Sequence, residues 1–520
     1  MARLLNDDVK GWIDRLAKPL DARISWRLLP LLTGLLFATG RRTVSSWLRA
    51  GGLSNDHQDY YYFLSSLGHK VKLLAALLAQ IAVEVIVPKG RLLVAIDDTP
   101  SQRYGAKVEG AGIHHNPTPG PAGAPFLYGH NWVTLAWVVR HPLWGAIGLP
   151  FLACMYVRRK DIAAHHLTLL RKVTFQTKLD MAAGLVRWAA TWLHHVGALW
   201  VVVDGAYAKR PFLKEALATG AIVVSRLRKD AALFDVPVPI PAGKRGRGRP
   251  RMYGETKISL AKRAGQKRGW QTAPMVLYGK ETTKRYKTFL ATYRPVGGQI
   301  RVVLVDEEEG PWRAYFCTQV EATVVEILEA VADRAAIEQV FHDIKEVHGV
   351  GQAQVRNYWS NVAVYHVKLW WHTMIELWAW HRPAKVLVDR RSSPWDDEAR
   401  RPSHADRRNA LRRHCLMDEF HAATAIAPGK CGWSISTNTR TVTKTKVAGF
   451  SSAPRRKRHC FVDAPPYELW PRLHPCTLRR DLGDESEDWT VRIAWMHSLI
   501  AELLKPAQVQ CQADSSWQQR

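Results

Sequence analysis

Three acidic positions stand where chemistry is commonly assembled. Asp98, with Asp97 before it, ends the apolar run "LLVAI", Asp204 ends "LWVVV", and Glu338 lies in "RAAIEQVFHDIKEVHG" (334–349). Short apolar runs of this kind read as buried strands, and the strand ends of an open sheet are where sites gather. Three carboxylates drawn from two strand ends and one helix make an oxygen-only cage suited to Mg²⁺ or Mn²⁺. Two such ions, about 3.5–4 Å apart, activate a water or a 3′ hydroxyl on one side of a phosphorus and stabilise the leaving oxygen on the other. Phosphodiester cleavage and strand transfer both use that arrangement. Taken singly, each acid reads equally as a loop or helix cap.

The element that must present Glu338 is a helix with two distinct edges. At about 100° per residue, Arg334, Glu338, Phe341 and Lys345 fall in a stripe roughly 60° wide, while Ile337, Val340, Ile344 and Val347 form another about 120° away. The plain structural reading is a solvated edge with an Arg334–Glu338 pair of (i, i+4) spacing. The chemical reading is an acid that binds metal between two cations that hold neighbouring phosphates, with the apolar stripe seating the helix on a sheet.

Composition bounds the partner. The 520 residues carry 74 Lys and Arg against 46 Asp and Glu, a net charge of +28, which on a globular protein points to a polyanion, nucleic acid before membrane. The apolar stretch "LLPLLTGLLFA" (28–38) is shorter than the ~20 residues of a bilayer crossing, and "MARLLNDDVKGW" has no apolar signal core. Seven cysteines without a close pair read as reduced structural thiols. The His-His pairs at 114, 165 and 194 lack a partner at ligand spacing, so no histidine metal site is expected. There is neither a GxSxG elbow nor a Walker A loop.

Along the chain, residues 1–90 read as a helical DNA-binding domain, with a Gly40 break, a short helix capped by Thr43 or Ser45, and basic Arg41, Arg42 and Arg49. An ordinary helical hairpin fits the same spacing. Residues 91–227 read as the first part of the catalytic domain: three successive strands as an antiparallel meander, then a βαβαβ pattern whose later strands run parallel. Residues 228–320 read as a β-rich basic insertion, whose front "AGKRGRGRPRMYG" offers Lys244, Arg245, Arg247, Arg249 and Arg251 to a DNA groove or, more simply, to phosphate as a basic loop. Residues 321–382 complete the catalytic domain with the Glu338 helix and the apolar helix of "SNVAVYHVKLWWHTMIELWAWH". Residues 383–520 read as a basic region, with "RRPSHADRRNALRRHC" and "SAPRRKRHC" as phosphate-contacting surface and a disordered tail.

With these motifs in place, the chain resembles the DDE transposases of bacterial insertion sequences, on Asp98 in "AIDDTP", Asp204 in "VVVDGAYAKR" and Glu338 in "RAAIEQVFHDIK". The branch it resembles carries a β-strand insertion between the second Asp and the Glu, and a Y-x2-R-x3-E-x6-K signature. Arg334, Glu338 and Lys345 meet that signature, while Val331 stands at the tyrosine position. The "DDT" start and "RPSHADRR" look most like the group numbered seven hundred and one. The resemblance spans roughly residues 30–415.

The resemblance implies an α/β fold: an RNase H-like mixed sheet flanked by helices, an all-β insertion, an N-terminal helical domain and a basic C-terminal region. It implies Asp98, Asp204 and Glu338 as catalytic metal ligands for two Mg²⁺ or Mn²⁺ ions, with Arg334 and Lys345 gripping the strand end. Asp98 is preferred to Asp97 for its alignment with the family's Asp-Thr step. Strand alternation puts Asp98 with Val94 and Ile96 and leaves the choice open. The implied activity is DNA cleavage and strand transfer at terminal inverted repeats and target DNA, by a homodimer in a bacterial, nucleoid-associated, cytoplasmic setting. The competing readings are an inactive or domesticated DNA-binding relative and an RNase H-like nuclease without end specificity.

Overall fold

The computed structural model describes residues 5–53, 57–88, 90–116, 124–237, 251–307, 310–391, 393 and 395–425, the last eight of these as backbone only. Lys244, Arg245, Arg247 and Arg249, "SAPRRKRHC" and the expected tail lie outside them.

Six helices open the chain: α1 (Asp7–Ala17), α2 (Ala22–Ser25), α3 (Leu28–Phe37), α4 (Val44–Ala50), α5 (His57–Gly68) and α6 (Val71–Ile86). Asn6 caps α1 and Thr43 caps α4 by accepting from the Ser46 amide, the side-chain solution to unpaired first-turn donors. Leu74, Leu78 and Ile81 of α6 are fully buried at helical spacing.

The sheet begins with β1 (Leu92–Gln102), β2 (Gly112–His115), β3 (Phe126–His141) and β4 (Gly145–Tyr156). β3 pairs antiparallel with β1, β2 and β4, so the expected meander is present. After α7 (Arg159–Ala164), α8 (Leu167–Arg171) and α9 (Lys178–Leu193) come β5 (Leu199–Val203), α10 (Arg210–Leu217) and β6 (Ile222–Leu227). β5 runs parallel to both β1 and β6, the second pair joined by the helical crossover α10. The order β4-β3-β1-β5-β6, an antiparallel half followed by a parallel half, is the RNase H-like mixed sheet of the expected fold class. β1 is longer than its apolar run because beyond Ile96 it pairs with β3 alone, and a one-sided strand tolerates Pro100.

The insertion differs from the expectation in one respect and adds a second feature. It holds β7 (Leu233–Phe234), β8 (Lys257–Ile258), β9 (Gln271–Leu277), β10 (Lys280–Tyr293), β11 (Gly298–Asp306) and β12 (Arg313–Cys317), but also a short helix, α11 (Leu260–Gly265), so it is not all-β. Its strands also continue the main sheet: β12 pairs antiparallel with β6, and β11 and β10 follow outward. The otherwise open edge of β6, with Val223 and Val224 fully buried, is thereby covered.

α12 (Val324–Asp333) starts with a capping box, Thr323 and Glu326, and is followed by α13 (Ala335–Glu346), α14 (Tyr358–Ala379), α15 (Ala384–Leu387) and α16 (His404–Ala425). The stretch read as one helix over 334–349 begins at a helix junction, where Arg334 ends α12 and precedes α13. Ile337, Val340 and Ile344 are buried as their stripe requires, and Phe341 is buried with them. Gly148 of β4 makes this seat close: a Cβ there would lie 2.7 Å from Val340 Cγ2 and 3.0 Å from the Ala336 carbonyl oxygen.

"RRPSHADRRNALRRHC" is not a phosphate surface throughout. Arg407 and Arg408 are buried in α16, Arg407 donating to Glu376 and Arg408 Nη2 to the Leu36 carbonyl at 2.8 Å. Their charges are spent on joining helices. No described helix is long and apolar enough to cross a membrane.

Candidate active site

β1 and β5 bring two acids together by register alone. Ile96 lies opposite Val203 in the parallel pair, so Asp97 and Asp204 are the next residues on strands that run about 4.8 Å apart. β5 ends there and turns, the Tyr207 amide donating to the Asp204 carbonyl at 3.0 Å.

α13 adds the third acid. Arg334 Nη1 donates to Asp97 Oδ2 at 2.7 Å and Nη2 to Glu338 Oε1 at 2.7 Å. Burial works against the Arg334 charge, but Asp97 and Glu338, with a contribution from Asp204, raise its pKa. One guanidinium therefore sits in the field of all three carboxylates. Burial pushes the Asp97 carboxyl up, more than Arg334 pulls it down. Asp204 and Glu338 are exposed, Glu338 with 59% of its side chain accessible, so both are open to a ligand.

Asp98, the acid preferred from the resemblance, and Asp97 have different partners. Asp98 bonds to Lys178 Nζ at 2.6 Å and accepts from the Tyr207 hydroxyl at 2.9 Å. Consecutive strand residues point to opposite faces, and no register shift interrupts β1 at this point. Asp97, not Asp98, shares Arg334 with Glu338. The backbone amide of Asp98 in turn donates to Asp97 Oδ1 at 2.8 Å.

Of the expected DNA contacts, Lys345 is half-buried further along α13, where burial lowers its ammonium pKa. Arg42 joins the same end of the helix: its amide donates to Gln352 Oε1 at 2.7 Å and its Nη1 to the Glu346 carbonyl at 3.4 Å. Burial, and then Arg412, lower the Arg42 pKa. Arg41 is exposed at the same turn. Arg251 is engaged by Glu255.

Sequence reasoning did not find Lys178, Tyr207 or Arg226. Arg226 is exposed on β6 and, with Asp204, Gly205, Leu227, Arg228, Lys229 and Asp230, lines a cavity of about 420 Å³. "SRLRKD", following a strand parallel to that of Asp204, was the available signal. Tyr207 stood three residues after Asp204 in the quoted motif. Lys178 carries no local signal, since only the packing of α9 brings it to Asp98.

The sequence model of the DDE superfamily endonucleases matches residues 15–288, a stretch that includes Asp97, Asp98 and Asp204 and ends before α13. No curated protein matches the chain. Among solved structures, the chain is similar to the cryo-EM structure of the piggyBac transposase synaptic complex with hairpin DNA, at 10% identity and a TM-score of 0.31, over 77% of this chain and 82% of that one. With more than half its length matched by that family's model, this chain belongs to the DDE superfamily endonucleases.

Proposed function

We propose that the protein is a DNA transposase, of the bacterial insertion-sequence type and of the group its "DDT" and "RPSHADRR" segments resemble, which cuts at element ends and joins them to target DNA. The observation that carries this reading is the Arg334 bridge between Asp97 and Glu338, beside Asp204 at the end of the neighbouring strand. The acids in roles are Asp97, Asp204 and Glu338, with Asp98 as the neighbour that Lys178 and Tyr207 hold in place.

The donor set fits a hard divalent cation. All three side chains offer oxygen only, and the single guanidinium they share offsets only part of the negative charge they concentrate. Asp97, Asp204 and Glu338 would hold Mg²⁺ or Mn²⁺, which would supply Lewis-acid neutralisation of the attacked phosphate and a more acidic attacking hydroxyl. Arg334, which spends one N–H of each Nη on the two acids, offers its remaining N–H groups to the strand end beside the cut. Lys345, Arg42 and Arg41 extend that grip along the duplex. Arg226 and Lys229 bring the strand to Asp204. A homodimer holds the two element ends, and inverted repeats are the specific ligand.

The test uses the gene's own flanking DNA, labelled at its ends, together with a supercoiled target plasmid in Mg²⁺. The expected products are discrete cuts at both ends and labelled ends joined to the plasmid. Random nicking without joined product would contradict the transposase reading and favour a nuclease without end specificity.

A further inference from the structure

A second cluster of ligating side chains lies inside the molecule, apart from the three acids. Asp343 of α13, His348 in the following loop, His372 and Glu376 of α14, and His404 at the start of α16 are each at most 7% exposed. One ligand atom from each of Asp343, His372 and His404 lies within 4.8 Å of the others. The His372 and His404 rings stack, their centroids 4.0 Å apart.

The inward atoms of these residues face one another. Asp343 Oδ1 accepts from Gln339 at 2.9 Å and lies 3.3 Å from His342 Nδ1, while Oδ2 faces His372 Nε2 at 3.6 Å. His404 Nδ1 donates to Glu376 Oε1 at 2.6 Å, which fixes its Nε2 as an acceptor, met by His348 Nε2. Glu376 is itself held by Arg407. A histidine whose other nitrogen donates to a fixed carboxylate is the usual support of a metal ligand. His348 Nε2 lies 2.8 Å from His404 Nε2. Nδ1 of both His348 and His372 is buried without a hydrogen-bond partner, an unfavourable condition when nothing offsets it.

We propose that Asp343, His372 and His404, with His348 as fourth donor, form a structural transition-metal site, for Zn²⁺ by the chemistry of its donors. Imidazole nitrogen with one carboxylate oxygen suits zinc and its neighbours and not Mg²⁺. Four protein donors make a closed site, the mark of a structural role. The ion joins α13, α14 and α16 and stands five residues from Glu338 on the same helix, so it sets the position of that acid. A tetrahedral zinc site spaces its donor atoms roughly 3.3 Å apart, so the Asp343, His372 and His404 atoms, now within 4.8 Å of one another, close on the ion while the His348–His404 pair at 2.8 Å opens.

The full-length protein, purified without chelator, is measured for metal by mass spectrometry, and after stripping is reloaded with Zn²⁺ or Co²⁺. The expected content is about one Zn²⁺ per chain, with Co²⁺ giving the visible absorption of a tetrahedral nitrogen site. Content should fall at least about tenfold in His372→Ala, His404→Gln and the near-isosteric Asp343→Asn, each compared only where circular dichroism shows folded protein. Chelation should lower the unfolding temperature of wild type and leave Asp343→Asn unchanged. The combined Asp97→Asn, Asp204→Asn and Glu338→Gln variant should keep its zinc, so failure of the active-site reading and failure of this one are separable. Folded wild type that takes up no zinc, or zinc whose content is the same in all three ligand variants, overturns the proposal.

Discussion

A guanidinium that donates to two carboxylates from different elements fixes both, and Arg334 does this for Asp97 on β1 and Glu338 on α13. Lysine offers a point charge instead of a fork. Arg334→Lys is therefore expected to cut DNA about 10–100-fold more slowly, the usual effect of losing a group that orients ligands, as read by single-turnover cleavage. The same residue shapes the acid limb of the pH profile. Burial raises the folded Asp97 pKa above its unfolded value, so protonation of Asp97 favours the folded state while removing the carboxylate that the chemistry needs. Cleavage should decline as pH falls through this raised value, while this group's contribution to stability rises over the same window, down to its unfolded pKa. Without the Arg334 charge the decline should move to higher pH in Arg334→Ala. An acid limb that does not move in that variant would detach Asp97 from the rate.

At the scale of elements, the close seat of α13 on the sheet depends on Gly148. A methyl group there meets Val340 and the Ala336 backbone. Gly148→Ala should cost about 1–3 kcal/mol by overpacking, measured by urea unfolding, and should slow cleavage by displacing Glu338. Beside it, Glu376 is buried. Burial would raise its pKa, but Arg407 and then His404 hold it well below the usual carboxylate range. That stability is present above the ordinary glutamate pKa and is lost as pH falls through the depressed one. Glu376→Gln leaves Arg407 buried without its counter-charge and should destabilise the protein by about 3–5 kcal/mol. A loss under 1 kcal/mol in the same unfolding experiment would mean that the pair contributes little.

The elements were legible where a period or a cap speaks locally: the β1, β5 and β6 runs, the Thr43 cap, the apolar stripe of α13. What needed three dimensions was pairing between distant segments. The choice between Asp97 and Asp98 turns on one residue of alternation against α13, some 240 residues away, as the Asp97–Arg334 separation of 237 shows. The joining of β12 to β6, and the burial of Arg407 and Arg408 in a segment that reads as surface, likewise depend on partners absent from the local pattern.

For the whole molecule, the proposed function makes the charge of +28 the means by which DNA is held. Each neutralised phosphate contributes a slope of about −0.9 in log affinity against log salt, and six to ten contacts correspond to a loss of about 10³–10⁵ between 50 and 200 mM. Binding of a labelled element end should fall in that range. A flat salt dependence would leave the basic excess without its role.

The central claim is that Asp97, Asp204 and Glu338 are the acids that cut. The most direct test is single-turnover cleavage of a labelled element end in Mg²⁺ by wild type, Asp97→Asn, Asp98→Asn and Glu338→Gln, with DNA binding measured on the same preparations. Asp97→Asn and Glu338→Gln should lose at least about 10²–10³ in rate, the loss that follows removal of one transition-state stabiliser, and retain binding, while Asp98→Asn loses less. Cleavage that survives in Asp97→Asn and Glu338→Gln, or a loss confined to Asp98→Asn, would contradict the account.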